Sequence, residues 1–157
     1  MLIESPRLDL IPLQVEHADE MAVVLSDPAL YAFIGGAPAT AEQLRSRYER
    51  MIAGPSSPGE SWLNWVIRLR DEGCLTGYVQ ATVSADTAEI AWVVGTPWQG
   101  RGIAREAASA LVDWLPVRTV VAHIHPAHTA SAAVAAAAGL TRTDVWQDDE
   151  VRWLRNV

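Results

Sequence analysis

The most suggestive chemical feature of the sequence is a glycine-rich turn in TPWQGRGIAREA, residues 96–107. Gly100 and Gly102 lie between a segment rich in Val and Ala and a run of good helix formers. Glycines let the backbone approach a phosphate closely, and the free N–H groups and dipole of a helix N-terminus favour negative charge. Arg101 and Arg105 add positive charge. The turn is therefore a candidate anion site, although a Gly-x-Gly turn alone is equally typical of a plain bend.

Two other kinds of phosphate-binding turn fit these residues poorly. A P-loop requires Gly-Lys-Ser or Gly-Lys-Thr, and GTPWQGRG has neither the lysine nor the hydroxyl. A dinucleotide-binding turn requires a third Gly or Ala and an acidic residue about 20 positions later, where this chain has Arg105 and Ala122. Both turns usually open a parallel sheet, whereas this one follows three strand-like segments.

A second chemical candidate is the histidine cluster HIHPAH, residues 123–128. His123 and His125 alternate onto one face of a predicted strand, and His128 follows soon after. Three imidazoles and a water could hold zinc in a hydrolase or metal-binding module. No fourth ligand is evident, so we expect no metal and keep the zinc hydrolase as a minor alternative. Cys74 is the single cysteine, which excludes an internal disulfide and a cysteine-rich zinc site.

Hydrophobic periodicity and breaker residues predict the elements that position these groups. Helices are expected over 16–27, from a Thr40/Gln43 capping box to about Ala53, over 102–115 and over 128–140. Strands are expected at 7–13, 62–70, 75–84, 88–94, 118–125, 142–147 and 150–157. This order predicts an antiparallel meander followed by a strand–helix–strand crossover with a parallel pair. The fold class is therefore α+β with a mixed sheet, in one domain over 1–157.

Composition excludes several classes of protein. The formal net charge of −7 argues against nucleic acid as a partner, because neutralising phosphates requires clustered Lys and Arg. No apolar run approaches the roughly 18 residues that suggest a membrane span. The first residues alternate like a strand and show no basic leader before an apolar block. We therefore expect a cytoplasmic protein that binds neither membranes nor nucleic acid.

The segment QGRGIA resembles the Gln/Arg-x-x-Gly-x-Gly/Ala signature of the GNAT acetyltransferase superfamily, whose turn holds the pyrophosphate of acetyl-CoA. Three longer segments are similar, in order, to the opening strand, central motif and following helix of the branch that includes the ribosomal-protein alanine acetyltransferases: ESPRLDLIPL, AEIAWVVGTPWQGRGIAREA and HTASAAVAAAAGL. The resemblance covers nearly the whole chain. It implies a mostly antiparallel sheet of about seven strands with about four helices, splayed between strands four and five.

The resemblance also implies which residues bind the cosubstrate, acetyl-CoA. The pyrophosphate would be wrapped mainly by the main-chain N–H groups of one segment: Gln99, Gly100, Arg101, Gly102, Ile103 and Ala104. Val93 and Val94, at the end of strand four, would hydrogen-bond the pantetheine arm as a neighbouring strand would. Ser131 matches the serine of the family's Asn-x-x-Ser helix, near the thioester sulfur. His128 stands where the family usually has asparagine.

The implied reaction moves an acetyl group to a primary amine by direct attack in a ternary complex. The attacking amine must be neutral and the departing thiolate can take a proton. Glu89, on strand four, is the leading general base, directly or through a water, with an ordinary strand-edge carboxylate as the alternative. Ser131 is the leading acid or sulfur contact, because the tyrosine that many relatives carry later in this helix is absent from VAAAAGL. His125 is a reserve proton carrier.

The acceptor is the least determined part of the sequence reading. Tyr31 and Phe33, in the loop between the first two helices, and Trp62, at a strand edge, are candidate substrate contacts. The acceptor is a peptide N-terminus or a small amine, and the acidic segment QDDE would suit a cation. The final strand could pair across a homodimer. A non-catalytic acyl-CoA-binding module is the main alternative function.

Overall fold

The computed structural model describes residues 1–156, which form one mixed sheet with helices on both faces. The sheet has eight strands in the order β1-β2-β3-β4-β5-β6-β8-β7. The strands are β1 Ile3–Glu4, β2 Leu8–Pro12, β3 Glu60–Leu69, β4 Cys74–Ser84, β5 Thr87–Val94, β6 Thr119–Ile124, β7 Thr141–Gln147 and β8 Glu150–Asn156. The mixed, mostly antiparallel sheet is confirmed, and the strand beyond the expected seven is the two-residue β1, which pairs with β2.

Four α-helices pack on the sheet, as expected: α1 Ala18–Val24, α2 Ala41–Ala53, α3 Ile103–Trp114 and α4 Thr129–Ala137. Helix α2 begins with the predicted capping box, in which Thr40 and Gln43 exchange side-chain and backbone hydrogen bonds. Helix α1 is shorter than the expected 16–27, because a 3₁₀ turn occupies Val15–His17 and the helix ends at Val24, ahead of Asp27, which caps the 3₁₀ turn Pro28–Tyr31. No described helix is long and apolar enough to cross a membrane.

The two faces of the sheet bury separate apolar clusters. On one face, α3 and α4 pack on side chains such as Ile67, Val79 and Ile90. On the other face, α1 and α2 pack on Val66 and Leu75. The side chains of successive strand residues point to opposite faces, so β5 contributes to both clusters. It buries Ile90 beneath α3, while Val93 packs toward α1 and α2.

The parallel pair of the sheet separates partway along its length. Strands β5 and β6 pair only over Thr87–Glu89 and Thr119–Val121, whereas β6 continues beside β8 to Ile124. These are strands four and five of the sequence prediction, so the expected splay is confirmed. Gly77 of β4 lies against the diverging part of β5, where a Cβ would come within 2.1 Å of the Val93 carbonyl oxygen. Only glycine allows this close backbone approach.

The position of the last strand corrects one expectation. Strand β8 pairs with β6 along one edge and with β7 along the other. Both edges of the final strand are therefore occupied within the chain, and the open edge at this end of the sheet belongs to β7. A dimer formed through a free edge of the last strand does not fit this topology.

Candidate functional site

A groove of about 790 Å³ opens where β5 and β6 diverge. Its walls are the end of β5, the glycine-rich turn before α3, the end of β6 and the start of α4. The loop that follows the 3₁₀ turn Pro28–Tyr31 lies over part of it. The groove thus brings together most of the residues that the sequence singled out.

The glycine-rich turn forms one end of the groove, and we call residues 99–105 the donor end. Gly100 and Gly102 both have φ of +76°, a conformation that favours glycine. Gly102 is the N-cap of α3 and provides no side chain to accept from the first N–H groups of the helix. Those N–H groups have no intrahelical partner. The donor end therefore has free backbone donors at a helix N-terminus, and its binding of an anion remains a prediction.

The two arginines of the turn have different surroundings. The Arg101 guanidinium pairs with Glu72, and the hydrogen bond to Glu72 and its charge raise the pKa of Arg101. The Arg101 carbonyl accepts a hydrogen bond from the Arg7 side chain. The Arg101 side chain is therefore directed away from the groove, while its main chain remains in the turn. Arg105 lines the groove and has no ion pair among residues 1–156. The charge that the sequence assigned to both arginines is provided in the groove by Arg105.

The remaining predicted cosubstrate residues lie within this turn or at the end of β5. Val93, Val94, Gln99, Ile103 and Ala104 all line the groove. The Gln99 side chain donates to the Val94 carbonyl at 3.0 Å, which ties the turn to the end of β5. The Ile103 side chain is buried in the core beneath α3 and anchors the first turn of that helix. Val93 and Val94 lie beyond the last β5 residue that pairs with β6.

Glu89 lies at the divergence and belongs to a chain of three charged or polar side chains that we call the transfer end. Of the three, His123 lines the groove, and Glu89 and Arg152 adjoin the groove through it. His123 Nδ1 lies 2.6 Å from Glu89 Oε1, and the Arg152 Nε–H donates to His123 Nε2 at 3.1 Å. A guanidinium has no acceptor, so His123 Nε2 carries no proton and Nδ1–H donates to Glu89. The His123 side chain is only 6% exposed, whereas Glu89 is 45% exposed. His123 and Arg152 thus hold an open carboxylate in place.

Ser131 and His128 lie on the α4 side of the groove. Ser131 Oγ contacts His128 Nε2 at 3.3 Å, and Phe33 stacks on the His128 ring with centroids 4.6 Å apart. Phe33 also contacts the ring of His125 at 5.3 Å. Burial, and secondarily the charge of His125, lower the pKa of His128. His128 is therefore a neutral ring at neutral pH, able to donate to or accept from Ser131.

The three histidines of HIHPAH do not share one centre. His123 is engaged by Glu89 and Arg152, while His125 and His128 flank Phe33. Within residues 1–156, no group of three or more His, Cys, Asp or Glu side chains is arranged to hold a metal. The separation of the rings gives the zinc-hydrolase alternative no support.

Glu150 lies in the groove, whereas in the sequence it stands out only as part of the acidic turn QDDE. It begins β8 and lines the groove. Burial raises its pKa, and the neighbouring charge of Asp149 raises it further. Sequence offered a weak signal for Glu150 in QDDE. His123 and Arg152 as partners of Glu89 had no local signal, because their proximity depends on the pairing of β6 with β8.

The predicted substrate contacts fall in three different places. Phe33 lines the groove. Tyr31 lines a second cavity, of about 120 Å³, between α1, α2 and the sheet, and its hydroxyl donates to the Leu25 carbonyl at 2.9 Å. Trp62 lies outside both, in a shallow surface pocket, with its indole N–H donating to Glu60 at 2.8 Å. Its role as a substrate contact remains a prediction, with no groove contact to support it.

A comparison with models of protein families finds one match that covers most of the chain. Residues 7–141 match the model described as the acetyltransferase (GNAT) domain. The match includes all four helices, the donor end, Glu89, His123 and Ser131, and it ends before Arg152. No curated protein sequence matches the chain significantly.

Solved structures show the same fold over nearly all of the chain. An acetyltransferase of the GNAT family from Bacillus anthracis has a TM-score of 0.82 and 21% identity, covering 99% of this chain and 98% of that one. The ribosomal L7/L12 α-N-protein acetyltransferase RimL, solved with coenzyme A, has a TM-score of 0.81 and 17% identity, covering 100% of this chain and 98% of that one. The ribosomal-protein-S5-alanine acetyltransferase from Vibrio fischeri has a TM-score of 0.79 and 16% identity, covering 99% of this chain and 96% of that one. The last two are ribosomal-protein acetyltransferases, the branch that the sequence resembles.

Proposed function

We propose, from the premise that the chain belongs to the GNAT acetyltransferase family, that it transfers the acetyl group of acetyl-CoA to a primary amine by direct attack in a ternary complex. The acceptor is a peptide N-terminus or a small amine. The observation that carries the proposal is the groove at the divergence of β5 and β6, with backbone donors at one end and, at the other, His123, which contacts the carboxylate of Glu89.

The donor end suits the pyrophosphate of acetyl-CoA. Gly100 and Gly102 have no Cβ to obstruct a phosphate, and the first N–H groups of α3 lack partners within the helix. Arg105 supplies positive charge in the groove. Val93 and Val94 lie on the part of β5 without a β6 partner, where a pantetheine arm could take the place of a strand. The structure of RimL with coenzyme A supports this assignment at the level of the fold.

The transfer end suits removal of a proton from the acceptor. An ammonium must lose a proton before its nitrogen lone pair can attack the thioester carbonyl carbon. In the proposed reaction Glu89 takes that proton, directly or through a water. The new N–C bond then forms as the C–S bond breaks and the nitrogen loses its second proton to water, giving the acetylated amine and the thiolate of CoA. The hydrogen bond from His123 keeps Glu89 oriented, and Arg152 keeps the His123 proton on the nitrogen that faces Glu89.

In the proposed reaction, Ser131 and His128 protonate the leaving group. With the proton of neutral His128 on Nε2, the ring donates to Ser131 Oγ, which leaves the serine O–H free to donate to the thiolate. The thiolate then becomes the CoA thiol, and the proton is replaced from solvent through His128. This pair would supply the proton in a helix that lacks the tyrosine found in many relatives.

The experiment that tests this function measures thiol release from acetyl-CoA with a panel of primary amines, and the acetylated amine by mass spectrometry. We expect thiol release that depends on the amine and matches the acetylated product one to one. Saturable acetyl-CoA binding without transfer to any amine or peptide N-terminus would instead favour the non-catalytic acyl-CoA-binding module. The absence of acetyl-CoA binding would contradict both.

A further inference from the structure

The second cavity lies beside the groove and shares part of its lining. About 120 Å³ of space lies between α1, α2 and the face of β3, β4 and β5 that carries Tyr78 and Val93. Leu30, Ile34 and Val93 line both this cavity and the groove. A ligand that reaches Val93 through the groove can therefore extend a side group into the cavity.

The walls of the cavity are mainly apolar. The apolar side chains come mainly from the two helices and the loops beside them, and the polar ones are three tyrosines with Asn64, Gln80 and Arg47. The apolar set is Leu13, Leu25, Leu30, Ile34, Leu44, Met51 and Val93, whereas the side chains of Trp65 and Val79 lie on the opposite face of the sheet. Burial raises the pKa of both Tyr48 and Tyr78 to about 12, so their phenols stay neutral. Such walls favour an apolar occupant, because a polar group transferred there without a partner loses its hydration.

The cavity and the groove differ in the charges of their side chains. Arg47 is the one charged side chain among the described residues that line the cavity, and no ion pair engages it within residues 1–156. Carboxylates lie on the groove side instead: Glu150 lines the groove, and Glu89 contacts His123, which lines it. An ammonium is therefore attracted to the groove, whereas a second cation in the cavity would be repelled by Arg47.

We propose that the acceptor is a primary amine with a compact apolar side group, which fills the cavity between α1, α2 and the sheet while its amine faces Glu89. This rests on the proposed acetyl transfer and narrows its substrate class. Apolar protein cavities of about 150 Å³ take a benzene molecule, so a cavity of about 120 Å³ suits a side group about the size of leucine's. Polyamines and aminoglycosides, which carry several cations, fit it poorly.

The test compares three amines that differ only in the side group: glycinamide, leucinamide and lysinamide. We expect kcat/KM for leucinamide to exceed that for glycinamide by about 10-fold or more, since one methylene in an apolar pocket is already worth roughly 10-fold or more. Lysinamide should be no better than glycinamide. Calorimetric affinities for the same amides, measured with CoA present, should follow the same order.

A matched pair of variants locates the effect. Met51 lines the cavity, whereas Ile52, the next residue of α2, is 51% exposed and does not. We expect Met51→Trp to lower kcat/KM for leucinamide by about 10-fold. The kcat/KM for glycinamide and the affinity for acetyl-CoA should stay unchanged. Ile52→Trp should change none of these values. Arg47→Glu, a change at an exposed residue, should raise the kcat/KM for lysinamide relative to that for leucinamide by several-fold.

Three results would overturn the inference: equal use of leucinamide and glycinamide, preference for lysinamide, or equal effects of the Met51 and Ile52 variants. These differ from failure of the proposed function, which would appear as acetyl-CoA that does not bind or is not consumed with any amine. If binding occurs without transfer, the calorimetric order of the amides still decides whether the cavity selects an apolar group.

Discussion

The donor end and the transfer end of the groove are built in opposite ways. The donor end consists of seven consecutive residues whose main chain provides the hydrogen-bond donors, with Gly100 and Gly102 at φ of +76°. The transfer end is three side chains from three strands, Glu89 of β5, His123 of β6 and Arg152 of β8, joined by hydrogen bonds. The comparison teaches that the donor end is shaped by local backbone conformation, whereas the transfer end is assembled by long-range strand pairing. Variants at the two ends should therefore have separable effects.

The largest effect is expected from Glu89→Gln. Removing the proton acceptor should lower kcat by about 100-fold to 10,000-fold, the usual contribution of general base catalysis, without changing the affinity for acetyl-CoA. Steady-state thiol release with both substrates saturating measures this. Glu60→Gln, which changes a carboxylate that contacts Trp62 outside the groove, is the control and should keep full activity. Full activity of the Glu89→Gln enzyme would contradict the assignment of Glu89 as the general base.

The donor end should be broken by Gly102→Val. A Cβ at this residue would be strained at φ of +76° and would meet the Arg7 guanidinium at 3.3 Å. Losing two charge-assisted hydrogen bonds to phosphate costs roughly 3–6 kcal/mol, so acetyl-CoA should bind about 100-fold more weakly or worse. Gly54→Val is the matched control, because Gly54 also has positive φ, of +85°, but lies away from the groove. Equal loss in both variants would indicate a general folding defect.

A smaller effect at the transfer end is expected from His123→Ala. Glu89 would keep its carboxylate but lose the hydrogen bond that orients it. A hydrogen bond to a charged group is worth about 1.5–3 kcal/mol, so kcat should fall by about 10-fold or more, with KM for acetyl-CoA unchanged. His123→Asn, which can still donate to Glu89, should recover part of the loss. A change confined to KM would show that His123 acts in binding instead.

The smallest effect on activity is expected from Glu106→Gln, which loosens the support of the donor end. Glu106 accepts hydrogen bonds from Ser5 and from the backbone and side chain of Arg7, and Arg7 in turn donates to the Arg101 carbonyl. The variant should lose about 1–2 kcal/mol of unfolding free energy and bind acetyl-CoA a few-fold more weakly. Urea denaturation measures the first effect. Glu49→Gln, at an exposed residue of α2, should change neither.

The pH dependence of stability gives the same carboxylate a second readout. Burial acts to raise the pKa of Glu106, but the hydrogen bonds from Ser5 and Arg7 outweigh it, so the pKa in the folded protein is lowered. The stabilisation is therefore complete above the pKa of the unfolded chain, about 4.5, and is lost as the pH falls through the lower folded value. Wild type and Glu106→Gln should differ most at neutral pH and converge in acid. A constant difference down to pH 3 would contradict this role.

Local patterns were sufficient to predict much of the fold and one end of the groove. Periodicity and breakers gave the helices and the long strands, and the contiguous motif QGRGIA identified the donor end. The splay was expected from the family resemblance, and β5 and β6 do separate after Glu89 and Val121. The roles assigned to individual site residues remain predictions.

What the sequence did not reveal depends on contacts between distant segments. His123 faces Arg152 only because β6 pairs with β8 in that register. Arg101 leaves the groove because Glu72, in the turn between β3 and β4, lies beside it. Gly77 had a weak signal, as a lone glycine in the strand CLTGYVQATVS, but its close approach to Val93 becomes clear only in three dimensions. No local pattern encodes such registers.

The most direct test of the division between binding and chemistry is calorimetric titration of acetyl-CoA into the wild type, Glu89→Gln and Gly102→Val proteins. The proposed function predicts one saturable site of equal affinity in wild type and Glu89→Gln, and loss of that site in a folded Gly102→Val protein. Absence of binding in the wild type would contradict the cosubstrate. Loss of binding in Glu89→Gln would contradict the separation of the two ends.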